Sequence, residues 1–187
     1  MTVEEIAQIV LQALEDQNIT YMLVGSLASN LHGLPRATHD ADIVIDCDKD
    51  SMEKFMDSLK EDFYADKLMA LDALKTKFMF NVIHFREGIK VDIIIKKARA
   101  FDNEQFKRRL LMPFRGTERW ISSPEDTILA KLLWQKDSGS ERQFQDAVDV
   151  ARVQRENLDR PYLQKWATEL RVQDLLLKIF DHIDNPT

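Results

Sequence analysis

The chain is poor in the residues that build cross-linked, metal-clustered or membrane-embedded proteins. Cys47 is its single cysteine, so an internal disulfide and a cysteine-based zinc cluster are both excluded. Four scattered histidines, without i, i+4 or Cys/His clustering, do not supply a zinc site either. No uninterrupted apolar stretch approaches the roughly 20 residues of a membrane span, and the opening residues lack the basic start and apolar core of a secretory signal. The expectation is a cytoplasmic protein with no membrane partner. Excess positive charge is missing too: 26 basic against 32 acidic residues give a net charge of −6, a poor default for nucleic-acid binding. There is no internal repeat, low-complexity tract or flexible linker.

With 44% hydrophobic residues among 187, the chain can bury a proper core. Its patterning reads as a helix over 3–17, with an apolar stripe of Ile6, Ile9, Val10, Ala13 and Leu14, then a strand over 20–24. A Gly-Ser turn and a short helix to His32 lead to a strand ending near 46 and a charged amphipathic helix over 50–60. Residues 77–85 and 90–96 read as strands joined by a hairpin at Arg86-Glu87-Gly88, and 101–111 as a helix. A short strand over 118–121 precedes a helix that starts at Ser122-Ser123-Pro124-Glu125-Asp126, where a serine cap, an early proline and two acids meet the needs of a helix N-terminus. The rest is nearly all helix, including 161–166 and 172–183. The expected organisation is a sheet-bearing lobe, 1–121, and a helical lobe, 122–187, packed as one body. Trp120, Trp134 and Trp166 are expected to pack the lobes together.

Three aspartates dominate the functional reading. Asp40 and Asp42 open the run Asp40-Ala41-Asp42-Ile43-Val44-Ile45, and Asp92 sits in Lys90-Val91-Asp92-Ile93-Ile94-Ile95. Residues two apart in a strand share a face, so Asp40 and Asp42 aim at one point, which Asp92 can join from a neighbouring strand. Carboxylates so crowded call for a hard cation such as Mg²⁺, which keeps open positions for water and phosphate. Two such ions about 3.5–4 Å apart can activate a hydroxyl and stabilise a leaving pyrophosphate. Ahead of this cluster an apolar strand runs into Gly25-Ser26 and a short helix, offering backbone N–H groups to an anion.

Together these segments resemble the DNA polymerase β nucleotidyltransferase superfamily, and most nearly its minimal bacterial branches, the AbiEii-like and stand-alone nucleotidyltransferases. The matching residues are Gly25, Ser26, Asp40, Asp42 and Asp92. Arg36 and Thr38 look like the lead-in to the Asp-x-Asp of several branches. The spacer from Ser26 to Asp40 is longer than in the antibiotic-modifying members, which points towards the AbiEii-like or tRNA-nucleotidyltransferase-like arrangement. The resemblance implies an α+β fold with a mixed sheet flanked by helices and a C-terminal helical lobe. It also implies catalytic, metal-holding Asp40, Asp42 and Asp92 and a nucleotide held by Gly25, Ser26, Arg36, Thr38 and Lys131. Asp146 or Asp149 would orient Lys131 or a substrate group. The expected cofactor is Mg²⁺, or Mn²⁺ in its place. The activity would be transfer of an NMP from an NTP to a hydroxyl on an RNA end such as tRNA, a protein or a small molecule. The alternative is a non-catalytic protein of the same fold that binds a protein partner, as in a toxin–antitoxin pair. The basic run from Lys96 to Arg119 reads as a solvated helix face sooner than as a track for RNA.

Overall fold

The computed structural model describes residues 1–59 and 61–185. The chain divides into two compact units, Met1–Leu27 with Ala37–Ile121, and Ala28–Arg36 with Ser122–Thr187. Residues 28–36 cluster with the helical unit.

The first unit carries a seven-stranded mixed sheet among the described residues. Its strands are β1 (Thr20–Val24), β2 (Asp40–Asp46), β3 (Phe63–Ala65), β4 (Met79–His84), β5 (Lys90–Ile95), β6 (Leu110–Phe114) and β7 (Thr117–Ile121), in the order β3-β4-β5-β2-β1-β7-β6. The central pair, β2 and β5, is parallel, and β2 pairs antiparallel with β1. Ala41, Ile43 and Ile45 of β2 and Val91, Ile93 and Ile95 of β5 are buried, so the acids at alternate positions lie on the opposite face.

Helix α1 (Val3–Asp16) starts at Thr2, whose side chain accepts from the Glu5 N–H while Glu5 reaches back, a capping box. Its buried face is Val3, Ile6, Ala7, Val10, Leu11 and Leu14. The expected stripe through Ile9 and Ala13 is therefore rotated by one position, because Ala7 and Leu11 turn inward. Each fully buried aliphatic side chain here is worth roughly 1.5–3 kcal/mol. Arg119 on β7, itself buried, ties that strand to α1 through Glu15, Gln8 and Gln12.

Three stretches depart from the sequence reading. Helix α3 (Lys49–Ser58) begins on the Asp48 cap, and the expected last residue, Lys60, lies outside the described residues. Between it and β4, β3 and helix α4 (Lys67–Thr76) had no sequence signal assigned to them; α4 is capped by Asp66 and stopped by Lys77 in the left-handed region. The expected helix over 101–111 ends early, as α5 (Ala100–Lys107), and Leu110–Phe114 pairs antiparallel with Thr117–Ile121. Positive φ at Arg115 and Gly116 closes that hairpin. Pro113 is tolerated because β6 is an edge strand.

The second unit holds part of helix α2 (Gly25–His32) together with α6 (Pro124–Ser138), α7 (Glu141–Gln154), α8 (Arg160–Glu169) and α9 (Gln173–Asp184). Pro186 and Thr187, at the end of the expected helical lobe, lie outside the described residues. Ser123 caps α6 by accepting from the Asp126 N–H, with Pro124 in the first turn, as the sequence predicts. Gly139, with φ of 70°, terminates it. Gly33 lies so close to α7 that a Cβ there would stand 2.8 Å from the Val150 nitrogen. Trp166 is buried, whereas Trp134 is 63% exposed. No helix of the described residues is long and apolar enough to cross a membrane.

Candidate active site

Strand register brings Asp42 and Asp92 side by side. They are direct partners across the parallel β2–β5 pair, about 4.8 Å apart in the hydrogen-bonding direction. The same row continues to Val24 on β1 and to Asn81 on β4. Asp40, two residues before Asp42, pairs with Lys90. One sheet face thus carries Asp40, Asp42, Lys90, Asp92 and Asn81 within two adjacent rows.

Gly25 is fitted to this face. It follows β1 directly with φ of 65°, and a Cβ built on it would stand 2.0 Å from Asp42 Oδ2 and 2.8 Å from Asp42 Cγ. Only a residue without a side chain lets the backbone meet that carboxylate, and only glycine takes this φ without strain. Ser26 is the second residue of α2, at the helix N-terminus that favours anions. Thr38 donates its hydroxyl to Asp40 Oδ1 at 2.9 Å, fixing that carboxylate before the strand begins.

Asp92 is engaged at both oxygens. Lys90 Nζ donates to Oδ2 at 2.8 Å, and Asn81 Nδ2 donates to Oδ1. The hydrogen bond to Asp92 raises the Lys90 ammonium pKa; partial burial opposes this, and the charges of Asp92, Asp40 and Asp42 add to it. Neither Lys90 nor Asn81 was singled out from sequence, although strand alternation places Lys90 on the face of Asp92, and the Arg86-Glu87-Gly88 hairpin brings β4 beside it.

The donor set suits a hard cation in a particular way. Among the described residues no three carboxylate, imidazole or thiol groups converge closely enough to hold an ion by themselves. Two carboxylates on adjacent strands, completed by water and substrate oxygens, are the set that Mg²⁺ favours over an all-protein cage. Asp42 and Asp92 provide such a pair.

The remaining expected site residues lie in the second unit. Arg36 grips Asp146 with both arms of its guanidinium, Nε to Oδ1 at 2.6 Å and Nη2 to Oδ2 at 2.7 Å. Lys131, buried on α6, donates to Asp146 Oδ2 at 2.6 Å. Burial would raise the Asp146 carboxyl, but hydrogen bonds and charge from Arg36 and Lys131 hold it below the usual carboxylate range. Asn30 fixes the backbone at Arg36 by accepting from its N–H and donating to its carbonyl. Asp149, the other acid considered, accepts instead from Gln145 at 2.9 Å. His32 is buried against the Ser122 carbonyl at 2.7 Å, and desolvation lowers its pKa. The basic run from Lys96 to Arg119 does not share one helix face: Lys96 pairs with Asp46, Arg99 with Asp102, Arg115 with Glu5 and Arg119 with Glu15.

No protein-family model matches the sequence, and a search of curated proteins gives no match. Comparison with solved structures does find similar folds. An antigenic nucleotidyltransferase-like protein from Paracoccidioides brasiliensis superposes with a TM-score of 0.55 at 20% identity, over 79% of this chain and 73% of its own. ANT(2'')-Ia in complex with adenylyl-2''-tobramycin gives 0.58 at 10% identity, over 90% of this chain and 96% of its own. JHP933 from Helicobacter pylori gives 0.53 at 14% identity, over 97% and 92%. With its mixed sheet, its flanking helices and these structural likenesses, the chain has the fold of these nucleotidyltransferase-like proteins.

Proposed function

We propose that the protein is a metal-dependent nucleotidyltransferase that moves an NMP unit from an NTP to a hydroxyl and releases pyrophosphate. The observation that carries this reading is the pairing of Asp42 with Asp92 across the two central parallel strands, with the Gly25 backbone against Asp42. Asp40 and Asp42 would hold the metal ions, and Asp92 would hold the one beside the attacking hydroxyl. Mg²⁺ or Mn²⁺, when bound there, would supply charge neutralisation and Lewis acidity. The chain's own residues do the positioning. Thr38 keeps Asp40 aimed at the face, and the N–H groups that open α2 at Gly25 and Ser26 would donate to phosphate oxygens, Ser26 adding its hydroxyl. Asp92 stands where it can take the proton of the attacking hydroxyl. Arg36 and Lys131, both held by Asp146, are assigned to phosphate. The longer spacer from Ser26 to Asp40 supports an AbiEii-like or tRNA-modifying relative as the model for the acceptor, in the cytoplasm.

Engagement of both Asp92 oxygens by Lys90 and Asn81 favours a second reading, a non-catalytic module of the same fold that holds a protein partner, as in a toxin–antitoxin pair. Calorimetric titration with ATP, GTP, CTP and UTP, with and without Mg²⁺, separates the two. Metal-dependent binding that disappears in Asp40→Ala and Asp42→Ala supports the enzyme. A folded protein that binds none of the four supports the module.

A further inference from the structure

The feature that the transfer chemistry leaves unexplained is Lys90. Its Cα lies opposite Asp40 in the strand register, and its side chain shares a face with Asp92, two residues along the same strand. Nζ stands 2.8 Å from Asp92 Oδ2, while Asn81 donates to Oδ1. Both oxygens of the acid proposed to serve the attacking hydroxyl are thus held by protein donors. The two donors differ in what they can do next. Asn81 is neutral and sits on a neighbouring strand, so it can go on orienting Oδ1 when a cation arrives. Lys90 is a full positive charge on a flexible stem, and its side chain is 41% exposed against 10% for Asp92. It can leave for water without a burial penalty, whereas Asp92 cannot.

We propose that Lys90 is a built-in competitor for the metal: it neutralises Asp92 when the site holds no cation and must release Oδ2 before a divalent ion can bind there. This rests on the assignment of Asp92 as a metal ligand. The physical reason for such a device is the carboxylate cluster itself. Asp42 and Asp92, side by side on one sheet face, repel each other, and a near-buried carboxylate without a partner is costly. Lys90 removes that cost in the empty state. In doing so it raises the metal concentration at which the site fills. The ammonium set free then faces the same side of the sheet as the anionic substrate.

Mn²⁺ titration followed by the electron paramagnetic resonance signal of the free ion tests this at constant pH and ionic strength. The proteins compared are the wild type, Lys90→Met, Lys90→Gln and Asp92→Asn, with no nucleotide and no turnover. Removing one competing charge at a partly exposed site should tighten Mn²⁺ binding about tenfold in Lys90→Met. Lys90→Gln, which keeps a hydrogen-bond donor but no charge, should tighten it as well and carries the test if the methionine variant folds poorly. In EDTA the Lys90→Met protein should melt below the wild type, and Mn²⁺ should raise its melting temperature by the larger amount. Unchanged Mn²⁺ affinity in both Lys90 variants, with binding weakened in Asp92→Asn, overturns the competitor role and leaves the metal site standing. Unchanged affinity in Asp92→Asn removes the metal from Asp92 and the proposal with it.

Discussion

Substituting Gly25 by alanine perturbs the candidate site at the point where backbone and carboxylate are closest. Two costs arise together. At φ of 65° an alanine sits in the left-handed region, at roughly 1–2 kcal/mol. Its methyl would also stand 2.0 Å from Asp42 Oδ2 and 3.0 Å from Asp42 Cβ, so the whole side chain of Asp42 has to shift and not merely its tip. A chain of this length loses about 2–4 °C of melting temperature per kcal/mol, so the backbone cost alone gives a fall of about 2–8 °C, to which the clash adds. A displacement near 1 Å of a group that positions reactants costs on the order of a hundredfold in rate, so Mn²⁺-dependent nucleotide binding and any transfer activity should fall far more than stability does. Gly33→Ala is the matched control, because its Cβ would meet α7 backbone at 2.8 Å and involves none of the three acids. It should lower the melting temperature and leave Mn²⁺ affinity intact. Thermal melts and Mn²⁺ titration of both variants read the two effects separately. A Gly25→Ala protein as stable as the wild type with unaltered metal affinity would refute the placement of Asp42 against the Gly25 backbone.

Three further outcomes are expected. Asp146→Asn leaves Arg36 and buried Lys131 without their carboxylate and should lose about 3–5 kcal/mol in urea unfolding, the cost of breaking a buried ion pair from one side. Because the folded Asp146 pKa is depressed, its contribution is complete above the unfolded value near 3.9 and is lost as pH falls through the folded value; acid unfolding curves of the Asn variant should lack that component. Tyr21, pushed up to about 12 by burial and by Glu15, keeps its proton in the folded state after the unfolded chain has lost it. Stability should therefore decline between about pH 10 and 12, and Tyr21→Phe should flatten that decline in alkaline melts. Cys47, raised to about 11 by burial and the neighbouring Asp48 and Asp46, should react with a maleimide more slowly than a free thiol at neutral pH, as a timed mass-spectrometric assay would register.

What the sequence disclosed was local chemistry with strong periodicity. The β-branched runs after Asp40 and Asp92, the Gly25-Ser26 junction and the Ser123-Pro124 cap each encode an element through nearby residues, and each appears in the fold. Long-range choices were less legible. Leu110–Phe114 continues an apolar, basic stretch that suits a helix, and only its pairing with Thr117–Ile121 makes it a strand. Arg109, stacked 4.5 Å from the Phe106 ring and 4.8 Å from Trp120, marks where the helix gives way. The Arg115-Gly116 dipeptide between two apolar runs was a usable hairpin signal. Asp146 could also have been separated from Asp149, since it shares an inward stripe with Ala147, Val150 and Ala151. The hold of Asn81 on Asp92 depends on the register of β4 against β5, and a one-residue slip would turn its side chain to the other face.

The central claim is that Asp42 and Asp92 form one divalent-cation site. Anomalous scattering from crystals soaked in Mn²⁺ with a non-hydrolysable nucleoside triphosphate locates the ion directly. The account predicts a peak within ligand distance of both carboxylates, with the nucleotide's phosphate oxygens completing its shell and Lys90 drawn away from Asp92. A nucleotide bound elsewhere, or Lys90 still seated on Asp92 with no peak between the strands, would contradict it.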